Sequence, residues 1–141
     1  MARRLLAALI VGAGLAASAA AAPVVTGGWI RALPGNVPAG GYFTLTNPGK
    51  TSIALTGAAS PACGTAMLHM THEMNGMAAM MMVDKVDVPA GGKIEFKPGG
   101  YHIMCLEPKG LKPGTSVPVT LHFGDGTSVT ASFAVKNATG K

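Results

Sequence analysis

The sequence predicts an all-β domain, a sandwich or barrel of short antiparallel strands. Three observations carry that expectation. Apolar segments of five to nine residues alternate with turn chemistry at Asn47-Pro48-Gly49, Pro89-Ala90-Gly91-Gly92, Pro98-Gly99-Gly100, Pro113-Gly114 and Gly124-Asp125-Gly126, the spacing of short strands joined by tight connections. The 20 glycines and 10 prolines break up any stretch long enough for an ordinary helix. Two C-terminal segments also alternate with period two. Val117, Val119, Leu121 and Phe123 oppose Pro118, Thr120 and His122, and Val129, Ala131, Phe133 and Val135 alternate with Ser128, Thr130, Ser132 and Ala134. Each reads as a half-buried strand, because successive side chains on a strand point to opposite faces.

In chain order, residues 1–21 come first and read as a secretory leader. Arg3 and Arg4 supply the positive start, residues 5–15 the apolar centre, and residues 17–22 a run of small side chains. A bilayer-spanning anchor needs about 20 apolar residues, and this centre is shorter and interrupted by Gly12 and Gly14. Cleavage is expected after Ala21, with Ala19 and Ala21 as the small pair, since Pro23 disfavours a cut directly before it. The remaining chain of about 120 residues suits one domain with no membrane span. Strands are expected over residues 24–31, 40–47, 52–58, 65–72, 78–87, 93–97 and 101–106, followed by the two alternating segments. Residues 22–136 thus form the β domain, and residues 137–141 a short polar tail that frays.

Charge excludes one class of partner. The formal charge of +5 includes Arg3 and Arg4, and the lysines of the mature chain are scattered, which describes a solvated surface rather than a nucleic-acid footprint. No nucleophile elbow, metalloprotease motif or paired carboxylates occur at a useful spacing, so the chain is not expected to be an enzyme. Cys63 and Cys105 are the only cysteines. In an exported chain they invite a disulfide, with two buried thiols or a metal-bound thiolate as the alternatives.

The chemistry concentrates between residues 63 and 106, which hold eight of the nine methionines and three of the four histidines. Methionine fills irregular core gaps, and Met70 suits that role. Packing does not, however, require histidine beside thioether. Imidazole nitrogen with thioether sulfur suits Cu(I) and discriminates against Mg, Ca and Mn, which prefer oxygen. His102 and Met104 lie one residue apart, so on a strand they project from one face while Ile103 and Cys105 project from the other. His122, on the polar side of its strand, reads as an ordinary surface residue.

His69 is followed by ten residues and Met80, then by twenty-one residues and His102, then by one residue and Met104. In these intervals the chain resembles the periplasmic copper chaperones called PCuAC. The segments Trp29-Ile30-Arg31, Gly41-Tyr42-Phe43-Thr44-Leu45-Thr46-Asn47, Val88-Pro89-Ala90-Gly91-Gly92 and Pro98-Gly99-Gly100-Tyr101-His102-Ile103-Met104 extend the likeness over nearly the whole mature chain. The resemblance implies a cupredoxin-like Greek-key β-sandwich. It implies one Cu(I) at a surface site of His69, Met80, His102 and Met104; because Met80, Met81 and Met82 are consecutive, Met81 or Met82 can stand in for Met80. It also implies a periplasmic location and delivery to a copper-accepting protein, a cytochrome c oxidase subunit or another copper chaperone.

Two features depart from that pattern. Some relatives carry a His- and Met-rich C-terminal extension associated with Cu(II), whereas this chain ends Asn137-Ala138-Thr139-Gly140-Lys141. His72, Met74 and Met77 are then either auxiliary ligands or part of a solvated loop. The cysteine pair is the second departure; it would brace the segment before His69 against the strand bearing His102, or make metal release redox-sensitive. The competing readings are a blue-copper electron-transfer protein and a metal-free domain that uses its methionines as an apolar contact surface.

Overall fold

The computed structural model describes residues 21–141 together with Gly12 and Gly14. The leader assigned to residues 1–21 therefore lies almost entirely outside the described residues. Among those described there is no helix and no helical span long and apolar enough to cross a membrane.

Ten strands make up the domain: β1 (Val24–Arg31), β2 (Ala39–Thr46), β3 (Ile53–Ala59), β4 (Cys63–Met74), β5 (Met77–Met82), β6 (Val86–Val88), β7 (Lys93–Phe96), β8 (Tyr101–Pro108), β9 (Ser116–Phe123) and β10 (Ser128–Lys136). They follow one hydrogen-bonded path, β5-β4-β8-β2-β1-β10-β9-β3-β6, with β7 paired to β2 beyond the stretch that β8 uses. All pairings are antiparallel except β1 with β10. The path folds over on itself, so that β3 packs against β4 although the two lie far apart along it. This is the all-β sandwich expected from the turn spacing.

The core follows from the period-two pattern. Phe43 and Leu45 of β2, Leu55 of β3, Leu68 of β4, Ile103 of β8, Val119, Leu121 and Phe123 of β9 and Phe133 of β10 converge in one buried cluster. Phe43 is its aromatic centre, with ring centroids 4.4 Å from Phe96 and 5.6 Å from Phe133. Burial of one such side chain contributes roughly 1.5–3 kcal/mol. Asn47 is the polar exception, buried at the end of β2. Its amide donates to the carbonyls of Thr51 and Val88 at 2.8 and 3.1 Å and its oxygen accepts from the Gly49 amide at 3.0 Å, so the buried group is satisfied and ties β2 to β6.

Two expectations need correction. The strand predicted over residues 78–87 is two strands, β5 on β4 and β6 on β3, at opposite ends of the path. Residues 83–85 carry the chain between them, leaving β4 after the Val83 amide donates to the Leu68 carbonyl at 2.9 Å. Strand β4 in turn runs past residue 72 to Met74. The extension is explained by Asn75 and Gly76, whose φ values of 53° and 78° are those of a type I′ turn, the connection whose twist matches paired strands. In the tail, the Asn137 side-chain oxygen accepts from the Thr139 and Lys141 amides, both at 3.0 Å.

The turn at the tip of β4–β5 is testable alone. Gly76→Ala places a Cβ at a φ that L-residues rarely adopt and is expected to cost about 1 kcal/mol. The loss should appear as faster amide exchange confined to β4 beyond His69 and to β5. Unchanged exchange in β5 would mean that the turn does not hold the hairpin.

Candidate metal centre

Strand register places the histidines and methionines. Strand β4 lies between β5 and β8, and His69 is directly opposite Met82 on one side and His102 on the other. One step along the same face, Met67 is opposite Met104; one step the other way, Met80 is opposite Thr71. Residues paired across antiparallel strands share a face, and so do residues two apart on one strand. The outer face of this three-stranded ribbon therefore carries two imidazoles and four thioethers: Met67, His69, Met80, Met82, His102 and Met104. Ile103 and Cys105 point the other way and are buried, as the one-residue spacing predicts.

All four residues expected from the sequence are thus on one face. The two histidines are adjacent, with ring centroids 5.6 Å apart and planes inclined by 61°. Two imidazoles on one ion, with metal–nitrogen bonds of about 2 Å, place their centroids no more than about 6.4 Å apart, so the observed spacing fits a shared ion. Met80 is one row removed from the histidine pair, whereas Met82 lies in that row. Met81 is paired with Met70 on the opposite face, which removes it as a replacement for Met80.

Hydrogen bonding completes the histidine geometry. The Nδ1–H of His102 donates to the Gly100 carbonyl at 3.1 Å. Because a carbonyl only accepts, this bond fixes the tautomer and leaves a lone pair on Nε2, the arrangement that orients ring ligands in metal sites. That Nε2 is buried without a protein partner, and so is Nδ1 of His69. Buried polar atoms are ordinarily paired, and two orphan ring nitrogens on neighbouring strands are what a bound ion would satisfy.

Although it faces outward, His102 is only 4% exposed. The cover comes from β2 and β1. Tyr42 lies 6.5 Å from the His102 ring and Trp29 lies 4.6 Å from Tyr42, centroid to centroid. Gly40, opposite Met104, makes room for this: a Cβ there would sit 2.9 Å from the Tyr42 ring. Arg31 stacks over both aromatic rings, at 5.3 and 5.5 Å. Trp29 and Tyr42 thus wall the histidine face on one side.

The cysteines are bridged, Cys63 to Cys105, with Cα atoms 5.3 Å apart. The bond joins the start of β4 to β8, the strands that carry the two histidines. No thiolate is then left for a metal, and a blue-copper site of two histidines and a cysteine cannot form. Among the described residues no three His, Cys, Asp or Glu side chains gather as a metal-binding group; the side-chain donors that share the face with the histidine pair are thioethers.

The LpqE-like family model matches residues 24–135. The chain belongs to that family, the group of the PCuAC domains. Among similar proteins, the "putative lipoprotein Lxx21020" of Leifsonia xyli subsp. xyli is 31% identical over 118 residues, which span 82% of this chain and 70% of that one. The solution structure of Cu(I)-bound DR1885 from Deinococcus radiodurans is 34% identical, with a TM-score of 0.65 over 88% of this chain and 83% of that one. A copper-bound PCuAC domain from PmoF2 has a TM-score of 0.69 at 23% identity, over 84% of this chain and 96% of that one. The fold is accordingly the cupredoxin-like β fold of PCuAC domains.

Two residues that share the face with the histidines, Met67 and Met82, stand outside the family spacing. The signal that locates Met82 is the Asn75-Gly76 dipeptide between two apolar runs, a strong hairpin mark. Counting outward from it pairs His69 with Met82. Met67 follows from period two, two residues before His69.

Burial, and next the neighbouring His102, hold the His69 imidazole below its ordinary value of 6.5. Both causes favour the neutral ring, the form that binds metal. The folded chain thus takes up this proton less readily than the unfolded chain. The associated stability is fully present above a pH of about 6.5 and is lost as pH falls through the lowered folded value. An NMR titration of the metal-free protein is expected to give a His69 midpoint below 6.5. A midpoint at or above that value would mean that neither burial nor His102 disfavours the charged ring.

Proposed function

We propose that this protein is an exported copper chaperone that binds Cu(I) through His69, Met80, His102 and Met104 and passes it to a copper-accepting protein. The observation that supports this reading is the facing histidine pair, with unpartnered buried ring nitrogens, set among thioethers on one sheet face. The donor set is neutral and soft, which suits a monovalent soft ion. The Cu(I)-bound DR1885 structure, at 34% identity, supports the same cargo. The family resemblance directs that cargo towards assembly of the cytochrome c oxidase copper site, with a periplasmic location. Nothing in the donor set calls for catalysis; the ion is cargo.

Transfer follows from the number of donors. Four thioethers and two imidazoles share the face, more than a four-coordinate ion can use at once. An incoming ligand can displace one thioether while the histidines still hold the ion, and a neighbouring methionine can return if the partner leaves. The ion is never released to water, and each exchange is a small step.

The test is anaerobic Cu(I) titration against a competing chelator. Met80→Ser is expected to weaken the tightest ion by about tenfold, or roughly 1.4 kcal/mol, while Met81→Ser leaves it unchanged. Replacing His69, Met80, His102 and Met104 together should abolish that ion. A fourfold variant that holds its first ion with the parent's affinity would overturn the assignment.

A further inference from the structure

The β4–β5 hairpin has a second face, and its composition is not explained by packing. Register pairs Met70 with Met81, His72 with Ala79 and Met74 with Met77, and these residues alternate with those of the outer face. His72 therefore sits between two methionine pairs, each two residues away along the strands. The residue directly opposite it is an alanine, which leaves room beside the ring.

This part of the hairpin overhangs the sheet. Strand β8 starts at Tyr101, opposite Met70, and the last bond to that side is from the Thr71 amide to the Gly100 carbonyl at 3.1 Å. From His72 onwards β4 has β5 as its only paired neighbour. Met74, Met77 and Met81 are 58%, 74% and 45% exposed, so they do not fill a core. His72 differs: its Nδ1 is buried and has no hydrogen-bond partner. A buried ring nitrogen flanked by exposed thioethers is the reverse of what folding alone would select, since buried polar atoms seek partners and large apolar side chains seek cover.

We propose that this second face is a separate site for a monovalent soft ion, with His72 as its nitrogen donor and Met70, Met81, Met74 and Met77 as the surrounding thioethers. Diagonal neighbours across an antiparallel pair have Cβ atoms within about 8 Å, within reach of the flexible methionine chain. No carboxylate shares the face, because Glu73 falls on the outer side with Thr71. The site therefore takes Cu(I) and its mimic Ag(I), and rejects Zn(II) and the hard ions. With one imidazole instead of two, and more exposed donors, it is the weaker of the two sites. The inference rests on Cu(I) as the cargo of the outer face, and places a second ion on the other side of the same two strands.

The experiment is an anaerobic Cu(I) titration against chelators of graded strength, alongside an Ag(I) titration followed by the ε-methyl signals of the methionines. The parent should bind two ions, the second at least tenfold more weakly, with Met70, Met74, Met77 and Met81 shifting only on the second. His72→Ala should lose the second ion alone, and His102→Ala should lose the tighter ion alone. Met70→Leu with Met81→Leu keeps the apolar volume, and should weaken the second ion even if His72→Ala disturbs the hairpin. A parent that binds one ion, lost in His102→Ala, overturns the second site and leaves the proposed function standing. A parent that binds none overturns both, and a second ion indifferent to both sets of substitutions overturns the assignment of its ligands.

Discussion

His102→Ala is expected to weaken the tightest Cu(I) ion by more than 100-fold, the largest effect of any single substitution on binding. Loss of an outer partner that merely orients a ligand costs about 10–100-fold, and removing a fixed ligand exceeds that. His102 is the most firmly held donor on the face. Its Nδ1–H is tied to Gly100, its ring is covered by Tyr42, and its strand is paired on both sides. A donor held in this way loses little freedom on binding, so nearly all of its bond strength appears as affinity. A methionine on the face has neighbours that can replace it; His102 does not. Competition with a strong Cu(I) chelator, with the thermal midpoint confirming the fold, measures the effect. A loss under tenfold in a folded variant would show that the ion sits elsewhere.

The largest expected effect on stability belongs to the disulfide. Replacing Cys63 and Cys105 together by alanine removes a cross-link between positions 42 apart in sequence. Such a loop corresponds to about 2–4 kcal/mol, or roughly 10–15 °C in melting temperature for a domain of this size. Cys105 is fully buried beside Ile30, Ala39 and Val135, so a packing loss adds to the loss of the cross-link. The β4–β8 pairing extends from Cys63 to Met70, however, and the histidine pair lies at its far end from the bond. Copper affinity is therefore expected to change less than tenfold while the melting temperature falls. A melting temperature within about 3 °C of the parent would show that the bond carries little of the stability, and a large loss of affinity would make it part of the metal site.

The alternation of residues 117–123 and 128–135 was enough to orient β9 and β10, since each has one buried face. The shared face of His102 and Met104 was legible for the same reason. What local pattern could not reveal was where one apolar run changes partners. Residues 78–87 look continuous, yet their first part pairs with β4 and their last with β3, a choice made by neighbours distant in sequence. The cover over His102 was hidden likewise, because it depends on Tyr42 and Trp29, which reach the site only through the β8-β2-β1 pairing. The sequence offered both Met81 and Met82 as replacements for Met80, and counting the register from the Asn75-Gly76 turn would have separated them, since it places Met82 opposite His69 and Met81 on the other face.

The two-residue turn of this hairpin limits how its length can change over evolutionary time. With the Asn75-Gly76 turn kept, one residue inserted between that turn and Met80 would interchange the two methionine populations, bringing Met81 opposite His69 and turning Met80 and Met82 away, and one residue deleted there would bring Met81 onto the same face opposite Thr71. Changes by two residues preserve the arrangement. Length variation that keeps a working site should therefore come in even steps, and an engineered hairpin lengthened by one residue provides a direct way to swap the two faces without altering any side chain.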